Sequence, residues 1–433
     1  MDMVQSELIG APIAHDPETM LQESASGDLL TARQQLLIAA FWFSLSFQGG
    51  ALLGIAIPSQ VLDVGGNATK TTMLALLGGF AGVITTIAQP VAGVLSDLST
   101  GRWGRRRPYL VGGVILDIIG LGIMARAANP AMLFAGFLPA ALGTAVSGAA
   151  YQAYIPDHVP SRQYGEAAGY LGAMTMLGTI VGFAVAGLVV EPRHVGTFYI
   201  ITIAVMAVGA ACTAIGIPDP PIQADRRAVI RSWRALWLEP WRRADFTWVF
   251  VTRSMMMLAL YMLFTFVAYY VRDVVHITDF TKGAAAVAGV ATLAALASGV
   301  VAGILSDRTG RKAMVSAAGV MMAGALLVLA FFHAVTVVLA VGVVFGLAFG
   351  TYSAVDWALA VDVLPDVRFA AKDLGLWGVS TNLPQTLAPF IGGLILAVLA
   401  PFGPSVSYGA LFFLAAVCAA LSGILVQRIR GVR

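Results

Sequence analysis

This chain has little charge. Of its 433 residues only 11% are charged, against about a quarter in average soluble proteins, and 58% are apolar. That deficit cannot cover a globular surface with polar groups, so lipid is the expected solvent for much of the chain. The net charge of +3 is too small to suggest nucleic acid as a partner. The two cysteines, Cys212 and Cys418, each sit in an apolar stretch and read as small core residues. The five histidines have no metal-ligand spacing, and neither G-x-S-x-G nor H-E-x-x-H occurs. No P-loop is present either, which argues against an enzyme and against a self-contained ATP-driven pump. No metal and no resident cofactor are expected. Residues 1–32 are polar and acidic, without the basic n-region and apolar core of a signal peptide.

What is abundant is long apolar segments. A helix needs about 20 residues to cross the hydrocarbon core, and spans are predicted at about 34–61, 70–95, 109–127, 131–155, 165–190, 195–217, 246–271, 283–305, 313–333, 335–361, 372–399 and 407–427. The fold class is therefore all-α and integral to the membrane, with twelve transmembrane helices in two sets of six. The corresponding division is a tail at 1–33, a first lobe at 34–217, a linker at 218–245, a second lobe at 246–427 and a tail at 428–433. Twenty of the 26 basic residues fall on one side of this alternation and five on the other, with Arg253 inside a span. That bias predicts that both termini are cytoplasmic. The excess of arginine over lysine, with abundant Ala, Gly and Val, suggests a GC-rich bacterial genome, and the expected location is the bacterial inner membrane. Trp233, Trp237 and Trp241 recur every four residues among the linker arginines, a pattern suited to the headgroups of membrane lipid.

The two sets of six are related by a repeat. Gly93-Val-Leu-Ser-Asp97 is followed by Arg102-Trp-Gly104-Arg105-Arg106-Arg107. The second copy reads Gly303-Ile-Leu-Ser-Asp307-Arg308-Thr-Gly310-Arg311-Lys312. Asp157-His-Val-Pro160 likewise faces Asp362-Val-Leu-Pro365, and Gly169 faces Gly375. A duplicated charged loop at the half-period of a membrane chain points to a two-lobed transporter.

At these residues the chain resembles the major facilitator superfamily, whose loop between spans 2 and 3 reads G-x-L-a-D-r-x-G-r-k. Arg102-x-Gly-Arg-Arg-Arg-Pro108 resembles the glycoside–pentoside–hexuronide cation symporters, and among them the sucrose–proton branch. Tyr352-Ser-Ala-Val-Asp356-Trp, Lys372-Asp373-Leu-Gly375 and Leu383-Pro384-Gln385 are similar to bacterial relatives of that branch. The resemblance implies the major facilitator fold and alternating access by two rocking lobes. It also implies a gate made by Asp97, Arg102, Gly104, Arg105, Arg106, Asp307, Arg308, Gly310, Arg311 and Lys312. Asp97 would lie near the start of span 11, and Asp307 near the start of span 5.

Charges within spans cost about 2.5–3.5 kcal/mol each and normally face a cavity or a partner. Asp356 is the first candidate to carry a proton or cation, and its alternative is a structural ion pair with Arg253. Asp117, in span 3, is either a second coupling group or a buried structural carboxylate. Candidate solute ligands are Ser44, Gln48, Tyr151, Gln152, Tyr261, Tyr352, Trp377, Asn382 and Gln385, because amides beside aromatic faces suit a hydroxyl-rich ring. Their alternative is hydrogen bonding between helices. Trp357 and Tyr270 read equally well as lipid-facing belt residues. The expected function is secondary active transport of a small polar solute, a sugar or glycoside, driven by protons, with sodium the other candidate ion. Proton-driven efflux of an amphipathic compound is the alternative, and a non-transporting sensor of the same fold a remote one. The expected partners are the solute and lipid, and the expected state is a monomer.

Overall fold

A computed structural model describes residues 29–97, 99, 103–160, 163–190, 195–216, 244–277, 279–362 and 370–429. The predicted linker and the termini fall mostly outside the described residues. Thr31 opens the first helix with a capping box: its hydroxyl accepts from the Gln34 amide, and its own N–H donates to Gln34 Oε1 at 2.9 Å.

The helices are α1 (Ala32–Ala51), α2 (Ile57–Asp97), α3 (Arg107–Met124), α4 (Pro130–His158), α5 (Tyr164–Val189) and α6 (Gly196–Gly216). They continue with α7 (Ala244–Asp273), α8 (Phe280–Thr309), α9 (Arg311–Phe331), α10 (Val335–Asp362), α11 (Ala370–Leu399) and α12 (Pro404–Leu425). Between α1 and α2 a π-turn covers Leu52–Ala56, closed by the bond from the Ile57 N–H to Leu52 O. Pro58, which can donate no backbone bond, follows directly, and a widened turn is one way a helix passes such a residue.

The apolar helical stretch from Ala32 to Ser96 is 65 residues long. At 1.5 Å per residue it would extend about 98 Å, three times the hydrocarbon thickness. Gly66 resolves this. Its φ of 71° and ψ of −179° lie in a region only glycine occupies freely, and the chain reverses there. Eleven apolar helical stretches among the described residues thus make twelve crossings. Their ends lie within a few residues of the predicted spans. The first crossing is the exception, since it runs on to the Gly66 break.

Packing follows the repeat. In the first lobe α1 packs on α5 and α6, α3 on α4 and α6, and α2 on α4. Each pair recurs in the second lobe with six added: α7 on α11 and α12, α9 on α10 and α12, α8 on α10. The lobes meet through α2–α11 and α5–α8, which the same operation exchanges. Small residues permit these approaches: Gly78 lies against Pro389, Gly82 against Thr386 and Gly187 against Ala285. Large apolar side chains such as Ile215, Leu188 and Val398 point outward, as a lipid-facing surface requires. Tyr270 is not among them. It is fully buried, its hydroxyl donating to Leu329 O at 3.3 Å, because α7 is enclosed by its neighbours in the second lobe.

Candidate transport site

Two glycines of the duplicated loop show why the motif needs them. Gly104 has φ 93° and Gly310 φ 89°, left-handed conformations that each let the chain turn sharply into α3 and α9. Around the first turn, Arg105 Nη2 lies 2.6 Å and Arg106 Nε 2.9 Å from Asp157 Oδ2 at the end of α4. Arg106 Nη1 also donates to Ser96 Oγ at 2.6 Å. Burial pushes the Asp157 carboxyl up, but the two guanidiniums outweigh it and hold the group below its ordinary value. These contacts tie α2, α3 and α4 together within one lobe. In the second copy Lys312 Nζ donates to Ile429 O at 2.9 Å, and Arg311 begins α9. Arg102 and the side chains of Asp97, Asp307 and Arg308 lie outside the described residues.

At the opposite face the lobes are joined directly. Lys70, at the start of the second crossing, pairs with Asp273 at the end of α7. The Tyr408 hydroxyl donates to the same carboxylate at 3.1 Å, and the Tyr269 hydroxyl donates to Pro58 O at 3.0 Å. Arg272 reaches Asn67 Oδ1 at 3.4 Å. None of these residues was singled out for a gate from the sequence, although Lys70 and Arg272 are two of the few basic residues on that side.

Within the second lobe, Arg253 of α7 and Asp356 of α10 form an ion pair, at 9% and 4% exposure. The Tyr352 hydroxyl donates to Asp356 Oδ1 at 2.7 Å. Arg253 also donates through Nε and Nη2 to Thr381 Oγ1 of α11, at 3.1 and 2.9 Å. The ion pair that the sequence offered as the alternative role for Asp356 is therefore formed, and α11 is attached to it. The first lobe holds a different arrangement. Gln48 Nε2 donates to Asp117 Oδ1 at 3.0 Å, both side chains are buried, and Asp117 Oδ2 and Gln48 Oε1 have no partner among the described residues.

A cavity of about 190 Å³ lies between the lobes. Leu53, Ile57, Leu74, Leu77, Phe137 and Pro389 form its apolar wall. Its polar groups are Thr85, Gln89, Thr144, Tyr261, Thr265, Asn382 and Gln385. Asn382 Nδ2 donates to Gln89 Oε1 and so links α11 to α2 across the cavity.

Of the candidate solute ligands, Tyr261, Asn382 and Gln385 line this cavity. Gln48 instead meets Asp117, and Tyr352 meets Asp356. The Ser44 hydroxyl donates to Val205 O at 2.8 Å, a bond between α1 and α6. Tyr151 donates to Ile38 O at 2.8 Å and stacks on Trp42, while Gln152 is exposed. These three are not among the cavity's lining residues. The Trp377 side chain lies outside the described residues. Gln89, Thr85, Thr144 and Thr265 were missed. Gln89 carried a signal, being an amide beside Pro90 in an apolar span.

A family model described as Major Facilitator Superfamily matches residues 36–366 and 283–432. The MFS-type transporter pydD of Acremonium sp is 30% identical over 219 residues, covering 49% of this chain and 35% of that protein. The MFS-type efflux transporter pyiT of Pyricularia grisea is 26% identical over 35% of this chain and 27% of its own length. The sucrose transport protein SUT1 of Oryza sativa subsp. japonica is 31% identical over 86 residues, which is 19% of this chain and 15% of that protein. The chain thus spans at most about a third of the length of these relatives. The crystal structure of the nucleoside transporter NupG superposes with a TM-score of 0.68 at 11% identity, covering 92% of this chain and 99% of that one. A bacterial homolog of the human lysosomal transporter Spinster, in an inward-facing and unoccupied conformation, gives 0.66 at 15% identity, covering 93% and 99%. With twelve apolar crossings in two lobes related by a repeat, the chain belongs to the Major Facilitator Superfamily and is a multi-pass membrane protein.

Proposed function

We propose that this protein is a secondary active transporter that moves a small polar solute, a sugar or glycoside, with protons. The observation that carries the reading is the buried Arg253–Asp356 pair and its attachment to α11 at Thr381, the residue next to cavity-lining Asn382. Protonation of Asp356 removes the charge that holds Arg253. Arg253 is then free to change its hold on Thr381, and with it the position of the neighbouring solute ligand. Asp117 serves as a second carboxylate in the first lobe, buried against Gln48. A cavity of about 190 Å³ is below the roughly 300–1,000 Å³ of sites for drug-sized ligands, which favours a small solute or a cavity that widens as the lobes rock.

The distribution of arginine and lysine favours cytoplasmic termini in a bacterial inner membrane. In that orientation the Lys70–Asp273 pair closes the periplasmic side. Asp97 and Asp307, with the basic loops, would close the cytoplasmic side in the other half of the cycle. The chain acts as a monomer in lipid, with the solute and the coupling ion as its ligands. The sucrose transport relative supports a sugar as solute.

Uptake into proteoliposomes tests the coupling. Asp356→Asn is expected to abolish accumulation driven by a proton gradient while leaving solute exchange across the membrane. Full uphill transport by that variant would remove Asp356 from the mechanism. Accumulation that needs a sodium gradient, and persists without a proton gradient, would replace the ion.

A second reading is efflux of an amphipathic compound. The apolar wall of Leu53, Ile57, Leu74, Leu77 and Phe137 and the efflux transporter relative favour it. The two readings predict opposite solute fluxes under the same imposed proton gradient.

A further inference from the structure

No acidic or basic side chain is among the described residues that line the cavity between the lobes. A charged solute entering it would lose hydration and gain no counter-charge, a severe cost in a partly apolar site. An uncharged solute need only exchange its hydrogen bonds with water for bonds with the wall. The amides are placed for that exchange. Asn382 Nδ2 donates to Gln89 Oε1, which occupies one donor and one acceptor. Beyond this contact, the Gln89 Nε2 group and the Asn382 side-chain oxygen Oδ1 have no partner among the described residues. At this contact each lobe thus presents an uncommitted polar atom to the cavity, a donor on α2 and an acceptor on α11. A hydroxyl is both donor and acceptor, so neighbouring hydroxyls on one solute can satisfy both atoms at once.

We propose that Gln89 and Asn382 are the specificity-determining pair for an uncharged, hydroxyl-bearing solute, which takes the place of their mutual hydrogen bond and spans the lobes. This rests on the transport reading above but not on its choice of a sugar. It assigns a role to Gln89 on a helix, α2, that also carries the main contact with α11. It also weighs against lipophilic cations as cargo, since none of the described lining residues offers them a negative charge.

The test is ligand-induced thermal stabilisation of the full chain in lipid nanodiscs. The uncharged probes are sucrose, trehalose and uridine; the charged probes are tetraphenylphosphonium, citrate and lysine. At least one uncharged probe is expected to stabilise the protein and no charged one. Stabilisation by a charged probe, or by none of the uncharged probes at saturating concentration, overturns the proposal. With the active uncharged probe, Gln89→Leu and Asn382→Leu should each weaken binding about fivefold to tenfold, the loss of one or two hydrogen bonds, while Ile215→Val, on the outward-facing surface, should not. Equal weakening by Ile215→Val, or none by the amide variants, also overturns it. Gln89→Glu keeps the shape and adds a charge, which guards against a folding artefact. It should lose the uncharged probe and bind tetraphenylphosphonium, and unchanged selectivity would count against the pair. Stabilisation by uridine with both sugars inert would retain the pair and remove the sugar reading.

Discussion

Lys70 and Asp273 form an ion pair that joins the two lobes at the face opposite the duplicated basic loops. Their side chains are only 8% and 16% exposed, and Tyr408 and Tyr269 stand around them, the latter with its ring 5.1 Å from Lys70 Nζ. Shielded from water, the pair is worth more than a surface salt bridge. Lys70→Ala is expected to shift the ensemble toward the state open at this face by about 1.5–3 kcal/mol, the range for a hydrogen bond to a charged group. Distances between spin labels on the 62–70 and 274–280 turns would report it as a longer population. The exchanged pair Lys70→Asp with Asp273→Lys should restore part of the short population. An unchanged distribution in Lys70→Ala would show that the helix contacts alone hold this face shut.

Arg253 is shared between Asp356 and Thr381, so its loss should cost more than the loss of a contact. Arg253→Ala strands a buried carboxylate, and removing one partner of such a pair costs about 3–5 kcal/mol. A marked fall in thermal midpoint at neutral pH is expected, partly recovered when Asp356→Asn is added to the same chain. If the double variant is no more stable than Arg253→Ala, Asp356 is solvated from elsewhere and the two residues do not act as a unit.

Most of the fold was legible because membrane crossings write long apolar runs and the repeat aligns the halves. The Arg253–Asp356 pair was legible for the same reason, since charges in hydrocarbon demand partners. The cavity was less so. Ser44 and Tyr151 are polar groups in an apolar helix just as Tyr261 is, yet they spend their hydrogen bonds on the backbone carbonyls of Val205 and Ile38. Which face of a helix turns to the other lobe depends on its rotation within the bundle, and polarity alone does not set that. The Lys70–Asp273 latch could not be read, because its partners are 203 positions apart and no repeat relates them.

Gly104 and Gly310 occupy equivalent left-handed positions. A Cβ at such a positive φ costs about 1–3 kcal/mol, so Gly104→Ala and Gly310→Ala should each lower stability by that amount, and by similar amounts because the repeat places them alike. Comparative unfolding in a mild detergent would measure both. A silent Gly310→Ala would mean that the second loop tolerates a right-handed turn that the first does not.

Asp157 carries a pH signature. Burial disfavours its charge, but Arg105 and Arg106 outweigh that, and its folded pKa lies below the ordinary value. Its contribution to stability is therefore fully present above the unfolded value of about 3.9 and is lost as pH falls through the lower folded one. Asp157→Asn should be less stable than the parent at pH 7, and the gap should narrow as pH falls below about 4. Thermal midpoints of both proteins across that window provide the measurement. A gap that stays constant to the acid limit would mean that Asp157 holds α2, α3 and α4 together by shape and hydrogen bonding, with its charge contributing nothing.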